Sequence, residues 1–403
     1  MKRALITTTI LTCSAAGFVS AQKATEHSQA GWRLKSDAVS LFVTETGGHM
    51  APVKFYANSD NPIEPYYISP WQDEKHDSMP AEVMVPLRGD FFCMPFGGNG
   101  EEVNGEKHTP HGEVSASKWT FAGSGKKGKV SSIKLSMKTK TRSGNATKEL
   151  RLLEGHNIIY STHTLAGYSG KMPLGHHATL ALPEEEGSVR IATSKFEVGF
   201  TNPTQFSNPV NREYQALAMN ARFTDLTKIP LIWKGAADAD CTSFPQRTGH
   251  TDLLQIFKNP GDEPAWLAAT CESRGYLWFS MKDPSILNST VFWIANKGRH
   301  AEPWNGRNRC LGLEDVCGYF ADGLAASLKP NLVNKAGFAT AVELSPDKPT
   351  VVNYIQGVAK IPRGFTNVKT VRFGDDKVTF TSVEGKMVEV AVQHGFLKTG
   401  RLE

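Results

Sequence analysis

The chain has 403 residues and a formal charge of +5, of which Lys2 and Arg3 contribute two. The remaining charge is spread without a basic block, which excludes a nucleic-acid partner. After the first segment no run approaches the roughly 20 continuous apolar residues of a membrane helix, so no membrane span is expected.

The first 21 residues, MKRALITTTILTCSAAGFVSA, combine a basic start, an apolar-to-small middle and a small-residue Val19-Ser20-Ala21 end. That pattern is an export signal, and it predicts a periplasmic or secreted product. Residues 22–35 read as a linker, and 36–403 as one domain. Five cysteines follow the signal: Cys93, Cys241, Cys271, Cys310 and Cys317. An odd number excludes a complete disulfide framework. Cys310 and Cys317 are near enough in sequence to bridge, but spacing alone does not decide it.

Short alternating or β-branched runs then dominate: VSLFVTE, SSIKLSMKTKT, KELRLLE, NIIYSTHTL, SVRIATS, YLWFSMK, STVFWIA, TVVNYIQGVAKI, KVTFTSV and MVEVAVQ. Gly, Pro, Asn and Asp punctuate them and long helical periodicity is missing. The expectation is an all-β fold, a large antiparallel β-sandwich with a few short helices in its connections. Residues 202–262 are less regular and are expected to form loops on the rim of one face. The end, about 365–403, reads as a β-hairpin extension turning at Gly374-Asp375-Asp376.

Four stretches concentrate polar groups. PLRGDFFCMPFGGN carries Arg88, either a structural ion pair or a guanidinium fork for ligand hydroxyls. HTPHGEVSASKW carries His108, His111 and Glu113, residue types that bind zinc. Pro110 opposes a helix that would align the two histidines, so no metal is expected and His111 reads as a hydrogen-bonding group at a loop tip. In PLGHHATLAL, strand alternation puts Leu174, His176, Ala178 and Leu180 on one face and Gly175, His177, Thr179 and Ala181 on the other. His176 is then a core or supporting histidine, and His177 has room for a ligand and for acid–base work. In PWNGRNRCLGLEDVCGYF, Glu314 lies between apolar neighbours, where a carboxylate is either paired, with Arg307 or Arg309, or functional.

With these stretches in this order, the sequence resembles the galactose mutarotase-like superfamily, the aldose 1-epimerases and hexose-phosphate epimerases. TETGGHMAPVKF is similar to its early Gly-Gly segment, LRGDFFCMPFGG to its Arg-Gly stretch and HGEVSASKW to its His-Gly box. KTKTRSGNATKELRLLEGHNIIYSTHTL, PLGHHATLAL and FWIANKGRHAEPWNGRNRCLGLEDVCGYF are similar to its central strand pair, histidine strand and glutamate strand. The likeness runs from about 36 to 360. It implies a large twisted β-sandwich holding a sugar, with no cofactor. It further implies Glu314 as the base at the anomeric hydroxyl and His177 as the acid at the ring oxygen. Arg88, His111, His176 and Trp304 complete the expected substrate-binding set. Ser115 stands where the phosphosugar enzymes often carry Arg, which favours an unphosphorylated hexose or oligosaccharide.

Two other readings use the same residues. One is a carbohydrate-binding protein without catalysis, stacking sugars on Trp304, Trp293 or Trp119. The other is hydrolase or lyase chemistry on polysaccharide. Hydrolysis requires two carboxylates, for which only Glu314 and Asp315 offer themselves. The sequence carries no signal for an oligomeric state.

Overall fold

Each of the ten alternating runs forms a strand in the computed structural model, which describes residues 21–403. The expected export segment, apart from Ala21, lies outside the described residues. Residues 22–35, expected as a linker, instead form the hairpin Gln22–Glu26 and Gln29–Lys35, paired onward to Val39–Thr44 and Met50–Phe55. The hairpin turns at His27 and Ser28, both at positive φ, and buries Trp32 and Leu34, so two apolar residues convert a linker into a strand.

Two antiparallel sheets form the sandwich. One is ordered Arg222–Phe223, Val198–Thr201, His250–Phe257, Ser289–Asn296, Arg309–Cys317, Leu174–His176, Phe92–Cys93, with Ala178–Ala181 also paired to Arg309–Cys317. The other has nine strands, with Tyr276–Lys282, Thr350–Lys360 and Ile158–Ala166 in its middle. Residues 202–262 are only partly loop, because HTDLLQIF is a strand of the first sheet. Its apolar residues are buried on both faces, so it lacks the polar alternation of a half-exposed strand.

Three buried layers result. Leu254, Phe292, Leu311 and Leu313 of the first sheet meet Ile159, Leu267, Trp278 and Val352 of the second. The second sheet's outer face, through Phe279 and Ile355, is covered by Phe365, Val378, Phe380 and Phe396 of the C-terminal segment. That segment is a three-stranded sheet, Val368–Gly374, Lys377–Ser382 and Met387–Ala391, with the expected hairpin turning at Asp375-Asp376. The outer face of the first sheet, through Leu253, Trp293, Cys310 and Val316, lies under connecting loops that contribute Trp71, Met84 and Trp304. All five described cysteines are free and buried. Cys310 and Cys317 stand seven residues apart on one extended strand, which points them to opposite faces.

Candidate functional site

The period of two along a strand decides where the paired histidines go. Leu174, Ala178 and Leu180 belong to the layer between the sheets, and His176 lies with them, fully buried. His176 Nδ1 is 2.9 Å from Asp90 Oδ2, and its ring stacks on Tyr354 at 4.0 Å. His177 projects the other way, into a cavity of about 220 Å³ under the loops.

Register then selects its partner. Gly175 pairs with Val316 and Ala178 with Leu313, so continuing that register sets His177 directly across from Glu314. His177 Nε2 and Glu314 Oε1 are 3.2 Å apart, and His177 Nδ1 is 3.2 Å from Thr179 Oγ1. The main-chain N–H of His177 donates to Phe91 O at 2.8 Å, and the imidazole stacks on the Phe91 ring at 4.5 Å. Gly312, two residues before Glu314 on the same face, leaves the space its carboxyl occupies. A Cβ there would stand 2.6 Å from Glu314 Oε1.

Burial pushes the Glu314 carboxyl well above the ordinary carboxylate range, with no cation to offset it. Burial, reinforced by His111, holds the His177 imidazole well below its usual value. Both shifts disfavour the charged forms, so a protonated carboxyl rests beside a neutral imidazole, the two in contact at 3.2 Å. Neither arginine considered as an alternative partner for Glu314 reaches it. Arg307 pairs with Glu74, and Arg309 with Glu184 at 3.2 Å.

His111 is the third polar group. It sits at positive φ before Gly112, where any Cβ would meet Met94 O at 1.9 Å, so the chain passes tightly against the Met94 carbonyl there. Its N–H donates to Gly97 O at 2.7 Å, and the ring stands 5.0 Å from that of His177. The Gly97 N–H donates to Nδ1 at 3.4 Å, which leaves Nε2 as the protonated nitrogen. Burial pulls its pKa down to about 4, so near neutral pH it is an uncharged donor.

Trp293 and Trp304 line the same cavity, with ring centroids 5.8 Å apart in an edge-to-face arrangement. Trp119 does not. It is buried in the layer between the sheets with its Nε1–H donating to Val114 O at 2.9 Å. His108 turns to Glu106 at 2.9 Å, and Glu113 accepts from the main-chain N–H groups of Lys140 and Thr141, both at 2.9 Å. Those two residues and His111 therefore point apart. Among the described residues no group of three His, Cys, Asp or Glu is arranged to hold a metal ion.

The fold thus brings Glu314, His177, His111 and Trp304 to one cavity and leaves two expected contacts outside it. His176 is held on the inner face of the sheet, as described. Arg88 is buried against the N-terminal hairpin, where its guanidinium donates to the carbonyls of Glu26 at 2.9 Å, His27 at 3.0 Å and Ala51 at 3.4 Å, and to Gln72. Every one of those acceptors is distant in sequence, so the terminal nitrogens that suggested ligand binding are spent on closing the fold, while Nε is buried without a partner. The guanidinium in the cavity is that of Arg299. RHAEPWNGRNR holds three arginines, and nothing local marks the first as the one that turns inward.

No family model matches this sequence, and neither does any curated protein. Solved structures do match in shape. A candidate aldose 1-epimerase from Klebsiella pneumoniae superposes with a TM-score of 0.57 at 12% identity, over 82% of this chain and 79% of that one. A galactose mutarotase-like protein from Clostridium acetobutylicum gives 0.54 at 11%, over 84% and 98%. A galactose mutarotase related enzyme from Lactobacillus acidophilus gives 0.51 at 10%, over 83% and 99%. The fold is that of the galactose mutarotase-like superfamily. On this mutarotase-like sandwich the Glu314–His177 pair lies on the outer face of the sheet, enclosed by loops.

Proposed function

We propose that the protein is an exported enzyme of the aldose 1-epimerase type, which interconverts sugar anomers by acid–base ring opening. The observation that carries this reading is the Glu314–His177 contact, a carboxyl and an imidazole 3.2 Å apart and both buried, in a cavity of about 220 Å³. Ring opening takes one proton from the anomeric hydroxyl and gives one to the ring oxygen. A carboxyl and an imidazole in contact supply the base and the acid for both transfers.

In the reaction the carboxyl proton passes to His177 Nε2, and Glu314, now a carboxylate, accepts the hydroxyl proton. His177 delivers its proton to the ring oxygen, the C1–O bond breaks, and C1 becomes an aldehyde. After rotation about the neighbouring carbon–carbon bond, reversal of the two transfers closes the ring on either face. Thr179 holds the imidazole edge at Nδ1, and the stack on Phe91 fixes its plane. His111 donates from Nε2 to a sugar oxygen, and Trp293 and Trp304 take the apolar faces of the ring. The names carried by proteins of this fold point the same way. Export rests on the first 21 residues, and carbohydrate as ligand on the fold and the aromatic lining.

The test is polarimetry of freshly dissolved α-D-glucose and α-D-galactose with the mature protein and its Glu314→Gln variant. The proposal expects faster relaxation with the wild type and loss of that acceleration in the variant. Folded wild type that accelerates neither these sugars nor their uronic acids would transfer the site to sugar binding without catalysis.

A further inference from the structure

Arg299 lines the same cavity as Glu314 and His177, and its surroundings are unusual for a cation. Its Cζ lies 5.1 Å from the ring centroid of Phe206, 5.5 Å from Trp304 and 5.9 Å from Trp293. Its Nε is sealed from solvent without a hydrogen-bond partner. Among the described residues no carboxylate approaches the guanidinium within 4.0 Å. The one that acts on it electrostatically, Glu213, accepts instead from the Asn208 N–H at 3.2 Å. The other ionisable groups in the lining are uncharged: His111 as a neutral donor, and Glu314 with His177 as a neutral pair. The cavity therefore carries one positive charge with no anionic group in contact with it, Glu213 acting on it only from outside the lining.

Buried charge without a counter-ion is costly, and aromatic faces offset only part of that cost. The rings surround the guanidinium and leave its terminal N–H donors as the groups through which an incoming anion is met. A planar monoanion that takes two parallel N–H donors fits that edge. Resting on the epimerase reading of the same pocket, we infer that Arg299 selects a sugar carrying a carboxylate, a uronic acid, and receives that carboxylate on its guanidinium while the anomeric carbon faces Glu314 and His177. The His177 ring and Arg299 Cζ each lie 5.9 Å from the Trp293 ring centroid, so the reacting pair and the guanidinium border the same indole. A phosphate is the weaker match, because its second negative charge would remain unpaired among Val83, Met84, Leu87 and Phe206.

The experiment measures binding and chemistry separately on the full mature chain. Calorimetric titration with D-galacturonate, D-glucuronate, D-galactose, D-glucose and glucose 6-phosphate gives affinities. NMR exchange between α and β signals gives anomerisation rates. The uronates are expected to bind tighter than the matching neutral hexoses by roughly tenfold or more, a margin set by a charge-assisted bidentate contact. Arg299→Gln should erase that margin, so that each uronate binds no tighter than its matching neutral hexose in the same variant. Arg299→Lys, which keeps the charge and loses the fork, should retain part of it, and it serves as the readout if the glutamine variant does not fold. Equal affinity for acidic and neutral sugars, or a margin that survives in Arg299→Gln, would overturn the inference. Preference for glucose 6-phosphate over both uronates would overturn the carboxylate assignment. Uronate binding without anomeric exchange would overturn the epimerase reading and leave the role of Arg299 standing. Exchange of neutral hexoses without uronate preference would do the reverse.

Discussion

Gly312→Ala is the sharpest probe of the Glu314 site, because it alters neither reacting residue. Gly312 pairs with Trp293 and Thr179 inside the sheet, where alanine is an ordinary strand residue. The new Cβ, however, would stand 2.6 Å from Glu314 Oε1 and 2.9 Å from Trp293 Cβ. Ordinary contact begins at 3.4 Å, so the carboxyl has to retreat by about 0.8 Å. Acid–base chemistry tolerates such a shift poorly: a displacement of about 1 Å in a reacting group costs on the order of 100-fold in rate. The expected outcome is a fall in kcat of about 10-fold to 100-fold, accompanied by a rise in KM because Trp293, whose Cβ would be 2.9 Å from the new methyl, must also give way. Polarimetry on the fastest-relaxing sugar measures both constants, and circular dichroism confirms that the sheet has formed. A folded Gly312→Ala protein that relaxes its sugar as fast as the wild type would refute the placement of the Glu314 carboxyl in the mechanism.

The adjacent histidines should separate cleanly: His177→Asn abolishes turnover while the protein stays folded. His176→Asn leaves Asp90 buried without its imidazole and lowers stability by about 3 kcal/mol, read as a shifted denaturant midpoint. If the first variant stays active and the second loses turnover without losing stability, the two roles are reversed. His49 gives a pH signature, since burial lowers its pKa from 6.5 to about 3 while it bonds to the Ser115 carbonyl at 2.9 Å. Its folded form resists protonation, so its contribution to stability is complete above pH 6.5 and is lost as pH falls toward 3. Thermal midpoints of His49→Gln should accordingly fall less steeply than those of the wild type between pH 6.5 and 4, and parallel curves would remove His49 from the account.

Strands of the sandwich were legible from a period of two, as SSIKLSMKT within Val130–Thr139 shows, or from β-branched and aromatic runs such as YLWFSMK and STVFWIA. HTDLLQIF was missed because it has no such period and Asp252 and Gln255 interrupt its apolar run. The same period assigned His176 to the core layer and His177 to the outer face, since that decision depends only on neighbours two residues away. Arg88 and Arg299 were not separable by any local rule. What fixes Arg88 is a set of carbonyls at Glu26, His27 and Ala51, and what surrounds Arg299 is a ring from Phe206 and two indoles. Both are products of chain crossings that only the folded sheet supplies, so a guanidinium was expected in the site and the wrong arginine was nominated for it.

The neighbouring carboxyls Glu314 and Asp315 show how one strand carries two opposite electrostatic settings. Burial alone would raise Asp315, but Lys282 at 2.5 Å, with Ser280 at 2.7 Å, Thr290 at 2.6 Å and Tyr354 at 2.8 Å, holds it below the ordinary carboxylate value. Glu314, one residue earlier and on the other face, has no cation and is raised. A glycosidase needs two carboxyls flanking one bond, separated by several ångströms across a shared cavity. Here the second carboxyl lies between the sheets with all its acceptor capacity engaged. Glu314 is the only carboxyl among the residues lining the cavity, and its partner there is an imidazole. That pairing matches a reaction in which one proton leaves as another arrives and no glycosidic bond is cut.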